Sequence, residues 1–229
     1  MGEHRSAETK RQVLIVDDHP LVRAGFAALI GAEPDLEVCS EAGSIGEALD
    51  LVRVRVPDLA IVDLSLADGN GLELVKRLRT GWAGIRVLVC SMHEESLFAR
   101  RALDAGAMGY INKQEAMSHV VEAVRQVLAG RVYLSAAMTE RIAQNPPGAK
   151  PAADGSPLRG LTDRELEIFT LIGRGLTPAQ MAKQLHRSVK TVDAHRENIK
   201  RKLELPSATE LTRYAVQWTL EQRGVGVRR

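Results

Sequence analysis

Five short apolar runs recur through the first half of the chain: 13–18 (VLIVDD), 36–42 (LEVCSEA), 58–64 (DLAIVDL), 85–91 (IRVLVCS) and 108–112 (MGYIN). Runs this continuous suit strands covered on both faces, and parallel strands need a helical crossover between each pair. The stretches between them have helical periodicity, with starts expected near Pro20, Ser44, Gly71, Glu95 and Met117. At the second start, Ser44 and Glu47 have capping-box spacing, and Ile45, Ala48, Leu49 and Val52 share one face. The pattern predicts a doubly wound five-stranded parallel sheet, an α/β unit of the flavodoxin-like kind.

The chain is longer than this unit needs. Residues 144–157 (QNPPGAKPAADGSP) hold four of the nine prolines and no large apolar side chain, which reads as a linker. Beyond it, Thr162 with Glu165, Thr177 with Gln180 and Ser207 with Glu210 repeat the capping-box spacing, and Ser188 marks a further helix start. Pro178 falls at a first-turn position, where its missing N–H costs nothing. These starts predict a four-helix, all-α unit in which His186-Arg187-Ser188 is the short turn of a helix-turn-helix.

Charge divides at the same place. Residues 1–156 carry 17 Lys+Arg against 21 Asp+Glu, a net −4, while residues 157–229 carry 14 against 8, a net +6. An acidic unit tied to a small basic one points to a polyanion as partner of the second. Apolar runs fall well short of the roughly 20 residues that span a bilayer, and MGEHRSAETKR has no signal-peptide core, so a cytoplasmic protein without a membrane role is expected. Cys39 and Cys90 sit in strand-like runs as small core residues.

In an open parallel sheet, ligands bind beyond the carboxyl ends of the strands. There the sequence places Asp17 and Asp18 after the first strand, Asp63 after the third, Ser91 at the end of the fourth and Lys113 after the fifth. Three converging carboxylates need a cation, and oxygen donors of this kind suit a hard ion such as Mg2+. An ammonium and a hydroxyl on the same rim make a phosphate-sized site, and a carboxylate there can serve as nucleophile and form an acyl phosphate.

At these residues the chain resembles the receiver domain of two-component response regulators, over 11–130. The resemblance implies that Asp63 is the phospho-acceptor, that Asp17, Asp18, Asp63 and the Ser65 backbone carbonyl hold Mg2+, and that Ser91, Lys113 and Tyr110 form the phosphoryl and switch set. One departure is Leu66-Ala67 where the family usually has Met-Pro; losing the proline's fixed φ should loosen that loop slightly. Ser65 and Met92 flank the path of attacking water, and the bulk of Met92 predicts slow hydrolysis. His19 and His93 lie close to the site in sequence and are given no catalytic or metal role.

Residues 158–224 resemble the LuxR-type helix-turn-helix output domain through Leu161-Thr162, Arg164-Glu165, Gly175-Leu176, Met181-Ala182, Leu185, Ser188, Thr191-Val192, His195 and Lys202-Leu203. Receiver and output, joined by a linker at 131–157, identify the chain as a member of the NarL/FixJ group of response regulators. On the third helix of the output domain, Val192, Ile199 and Leu203 make an apolar seam, with Lys190, Ala194, Glu197 and Arg201 opposite. Docked in a major groove, Lys190, Thr191, Asn198, Lys200 and Arg201 can serve phosphates, and Asp193, Ala194 and Glu197 face base edges.

The resemblance thus implies a DNA-binding transcriptional regulator, phosphorylated on Asp63 by a sensor histidine kinase, that binds double-stranded promoter DNA as a homodimer and is not an enzyme in its own right. Two other readings stay open at this level: a phosphatase using Asp63 as nucleophile, and a constitutive DNA-binding protein whose first unit no longer takes a phosphoryl group.

Overall fold

The computed structural model describes residues 10–93, 95–144 and 157–225. The expected leaderless start at 1–9 and most of the Pro-rich stretch, 145–156, lie outside the described residues. Two compact units divide at 146/147. Among the described residues no helix is long and apolar enough to cross a membrane.

In the first unit, strands β1 (Arg11–Val16), β2 (Leu36–Ala42), β3 (Leu59–Val62), β6 (Arg86–Ser91) and β7 (Gly109–Asn112) form one parallel sheet in the order β2-β1-β3-β6-β7; β4 (Ser65–Leu66) and β5 (Gly69–Asn70) are a separate two-residue hairpin. Helices α1 (Pro20–Gly31), α2 (Ile45–Val54), α3 (Gly71–Gly81), α4 (Glu95–Ala105) and α5 (Lys113–Leu128) complete the alternation. Val13 and Ile15 pack with Phe26 and Ile30 of α1 and with Val120, Val124 and Val127 of α5. Since side chains alternate along a strand, Leu14 and Val16 face the other layer, and they too are buried. Covering both faces is what made the runs continuously apolar; each large side chain so buried contributes about 1.5–3 kcal/mol.

Local signals set the helix starts, with two differences from expectation. Asn112 accepts from the Gln114 N–H at 2.9 Å, so α5 begins at Lys113 rather than near Met117. At α2 the box is split: Ser44 accepts from the Glu47 N–H, but the Glu47 carboxylate reaches back to the Gly43 N–H at 2.7 Å. The segment expected to be a linker from 131 onward is also partly structured. The Tyr133 N–H donates to Met108 O at 3.0 Å and Tyr133 O accepts from the Tyr110 N–H at 2.9 Å, so this segment pairs with β7. Helix α6 (Ala136–Gln144) follows and packs on α4 with Met138 buried, which extends the first unit past residue 130.

The second unit opens with a short 3-10 turn, Pro157–Gly160, and holds α7 (Asp163–Gly173), α8 (Pro178–Gln184), α9 (Val189–Lys202) and α10 (Ala208–Val225). Thr162 and Thr177 form reciprocal capping boxes, and the Ser188 and Ser207 hydroxyls accept from the Thr191 and Glu210 N–H groups. Phe169 anchors the core, its ring 5.8 Å from that of Tyr214 and 6.1 Å from that of Trp218. Val192 and Ile199 are buried, and His186 turns the chain between α8 and α9 with φ +50°, a conformation that histidine adopts more readily than most residues.

Candidate functional site

The chain leaves β1 for β2 on one side and returns through β3 on the other, so the crevice at the carboxyl ends of β1 and β3 is the switch point of the sheet. Asp17 and Asp63 are the first residues beyond those two strands, 2% and 3% exposed. Lys113, from the first turn of α5, reaches both: its Nζ lies 2.5 Å from Asp17 Oδ2 and 2.7 Å from Asp63 Oδ2. Asp18 joins at the rim, where the exposed His19 ring sits 2.6 Å from its Oδ1. Ligand atoms of Asp17, Asp18, His19 and Asp63 fall within 4.8 Å of one another.

These charges act on one another. Burial pushes the Asp63 carboxyl up to about 6, with Lys113 opposing the rise and Asp17 adding to it. Burial also works against the Lys113 ammonium, but Asp63 and Asp17 outweigh it and hold its pKa above the usual lysine value. One acceptor remains: Asp63 Oδ1 is buried without a hydrogen-bond partner. The carboxylates of Asp17, Asp18 and Asp63, gathered in one cluster of oxygen donors, fit a hard divalent cation.

Neighbouring loops hold the cluster in place. The Asp17 carbonyl accepts from Arg23 Nη1 at 2.7 Å, and Gly71 approaches the backbone after β3 so closely that a Cβ there would lie 1.9 Å from Asp63 O. In the β4-β5 hairpin, the Asp68 carboxylate accepts from the Ile45 and Gly46 N–H groups at 2.9 and 3.1 Å. Asp68 thereby anchors the loop that lacks the proline. Sequence reading missed both Arg23 and Asp68, whose partners are fixed only by the fold.

Ser91 is fully buried, and its Oγ accepts from the His93 N–H at 3.2 Å. Tyr110 is also fully buried and donates its hydroxyl to His93 O at 2.8 Å. The His93 ring lies on Phe98 and its Nε2 is 3.0 Å from Ser65 Oγ. It is therefore His93 that turns in beside Ser65, whereas Met92 is 46% exposed.

On α9 the structure leaves Lys190, Thr191, Asp193, Ala194, Glu197 and Arg201 exposed, with Asn198 and Lys200 half-buried. Both carboxylates are tied one turn on: Asp193 to Arg196 at 3.2 Å and Glu197 to Lys200 at 2.8 Å. Arg201 donates to Asn198 at 3.0 Å. Val189, 44% exposed at the helix start, is an apolar member of this face that sequence reading passed over. Behind it, burial raises Glu165 but Lys202, 2.6 Å away, and the Thr162 N–H prevail and lower its pKa. Burial, then Arg164, lowers that of His195.

A family model described as response regulator receiver domain matches residues 13–125, and one described as bacterial regulatory proteins, luxR family, matches 159–215. The transcriptional activator protein ExaE of Pseudomonas putida is 40% identical over 206 residues, covering 90% of this chain and 95% of its own. The chain belongs to the NarL/FixJ group of response regulators. The oxygen regulatory protein NreC of Staphylococcus carnosus is 34% identical to the regulator over 210 residues, covering 90% of this chain and 97% of its own. A LuxR-family response regulator from Aurantimonas sp. matches it with a TM-score of 0.55 at 37% identity, covering 59% of this chain and 97% of that one. The RcsB response regulator of Salmonella typhimurium shares the fold, with a TM-score of 0.65 at 22% identity over 91% of this chain and 98% of its own. The regulator is a transcription regulator rather than a classical enzyme.

Proposed function

We propose that Asp63 takes a phosphoryl group from a sensor histidine kinase and that this change controls promoter binding by α9. The observation that carries the reading is the buried, unpartnered Asp63 Oδ1 beside an Oδ2 held by Lys113. Oδ1 is free to attack phosphorus in line: the new P–O bond forms as the P–N bond to the kinase histidine breaks, and the electron pair leaves with the imidazole. Lys113 screens the developing charge without giving up its proton. Asp17, Asp18, Asp63 and the Ser65 carbonyl would hold Mg2+, which when bound supplies positive charge opposite the phosphoryl oxygens. Ser91 turns its hydroxyl from the His93 N–H to the phosphoryl group, and buried Tyr110 fills the space behind it. Water returns the carboxylate slowly, since Ser65 and His93 close one side of the approach.

In the output unit, Asp193, Ala194 and Glu197 face base edges, while Lys190, Thr191, Asn198, Lys200 and Arg201 serve phosphates. Homodimers pairing through α10 would present two α9 helices to half-sites about one helical turn apart. RcsB has been solved bound to promoter DNA, which supports the same use of this fold here. The compartment is the cytoplasm, where the kinase transmitter and DNA are both accessible.

Incubation with acetyl phosphate and Mg2+ tests the reading. One phosphoryl group by intact mass, absent from Asp63→Asn, together with changed DNA affinity, is expected. Catalytic turnover of a phosphate ester would make the first unit a phosphatase, and an unmodified chain with unchanged DNA binding would make it a constitutive binder.

A further inference from the structure

The loop that touches the acceptor site also holds the end of the first unit. After α5, Tyr133 pairs with β7 at Gly109, a position where a Cβ would lie 3.0 Å from Tyr133 O and 3.1 Å from Tyr133 Cβ. The chain then turns at Ser135, whose Oγ accepts from the Met138 N–H at 3.2 Å and whose carbonyl accepts from the Thr139 N–H at 2.9 Å. The Ser135 N–H itself is donated to Glu95 Oε1 at 2.9 Å. Glu95 is the first residue of α4, the helix on which α6 packs through Met138.

From Glu95 the line of contacts runs back to the acceptor. The His93 N–H is held by Ser91 Oγ and the His93 carbonyl by the Tyr110 hydroxyl. A Ser91 hydroxyl that turns toward a phosphoryl group gives up the first of these bonds, and His93 loses that restraint. The Tyr110 N–H meanwhile bonds Tyr133 O, so Tyr110 touches both the His93 carbonyl and the segment that leads to Ser135.

We propose that α6 is a strap tied through Ser135 to Glu95 at the start of α4, and that phosphorylation releases the tie. The proposal rests on Asp63 being the acceptor. A nine-residue helix is too short to persist undocked, so release melts α6.

Hydrogen exchange on the full chain, followed at amides 139–144, tests this. Phosphorylated wild type, verified by mass after acetyl phosphate and Mg2+, exchanges about tenfold faster there than the unmodified chain. Glu95→Ala exchanges about tenfold faster without any phosphoryl donor, while Glu95→Gln, whose amide oxygen still accepts, stays like wild type. Unchanged protection across the central strands shows that the variants fold. Unaltered exchange at 139–144 in the phosphorylated chain, or in Glu95→Ala, overturns the strap. A wild type that gains no phosphoryl mass overturns the acceptor reading and release by phosphorylation with it, and the Glu95→Ala arm then decides the tie by itself.

Discussion

Lys113 holds one oxygen of Asp63, with Nζ 2.7 Å from Oδ2, while the other oxygen of the same carboxylate is buried without a partner. The acceptor is thus fixed at one atom and open at the next. Position comes from the ammonium, and reactivity stays with the atom it leaves alone.

Removing that ammonium leaves Asp17 and Asp63 buried and facing each other. Lys113→Ala is expected to destabilise the cation-free protein by on the order of 3 kcal/mol, the usual cost of breaking a buried pair. Mg2+ should restore most of the loss. Urea titration with and without Mg2+ checks this, and a loss indifferent to the cation counts against a metal site at these carboxylates.

Asp63 also sets a pH dependence. Its carboxyl titrates at about 6 in the folded chain against 3.8 in the reference state. Between these values the native state keeps a proton that the unfolded chain has lost, so this contribution to stability is full below pH 3.8 and disappears as pH rises through about 6. Asp63→Asn removes the slope. Without Mg2+ it should be more stable than wild type at pH 7–8 by about 2–3 kcal/mol, the value of roughly two pKa units, with the difference vanishing near pH 4. Equal stability at both ends would show that the carboxylate is not strained by burial.

Gly71 is required by contact rather than by dihedral angle. A Cβ 1.9 Å from Asp63 O must push the acceptor backbone aside. Gly71→Ala is expected to lose about 1–3 kcal/mol and to slow phosphorylation by acetyl phosphate. Full stability with an unchanged rate would mean that the loop yields freely there.

On α9, Glu197 restrains Lys200 at 2.8 Å. Glu197→Ala removes the carboxylate proposed to read cytosine and frees Lys200 for phosphate. Discrimination at one base pair should fall by about 1–3 kcal/mol, while nonspecific binding strengthens and its salt dependence steepens by about one ion. Selection from a randomised operator library, with salt titration, measures both; uniformly weaker binding to all sequences would refute the assignment.

Among the described residues, the five sheet strands and eight of the ten helix starts were legible because most rest on a local cause: apolar runs covered on both sides, a hydroxyl or amide placed to cap, or, at α1, a proline in the first turn. Asn112 carried such a signal for α5, and reading it would have moved that start to Lys113. The start of α6 also carries a capping hydroxyl, Ser135, but sequence reading passed over it because the segment has only Met138 and Ile142 on one face and owes its order to docking on α4 and to Glu95, 40 residues from Ser135. Asp68 was hidden for the same reason, since its partners at Ile45 and Gly46 are brought to it by the sheet. The inward turn of His93 follows from Phe98 and Ser65, neither of which marks it in one dimension.

The strand order has a consequence for synthesis on the ribosome. Asp17, Asp18 and Asp63 emerge well before Lys113, which is 50 residues beyond the acceptor. A chain that reaches only β6 carries these carboxylates without Lys113. Only when β7 joins the edge and α5 closes over the sheet does the acceptor acquire its ammonium. The charge balance of the cluster thus depends on the last strand and helix of the alternation: a chain cut before α5 would keep the carboxylates and lose the ammonium that pairs them.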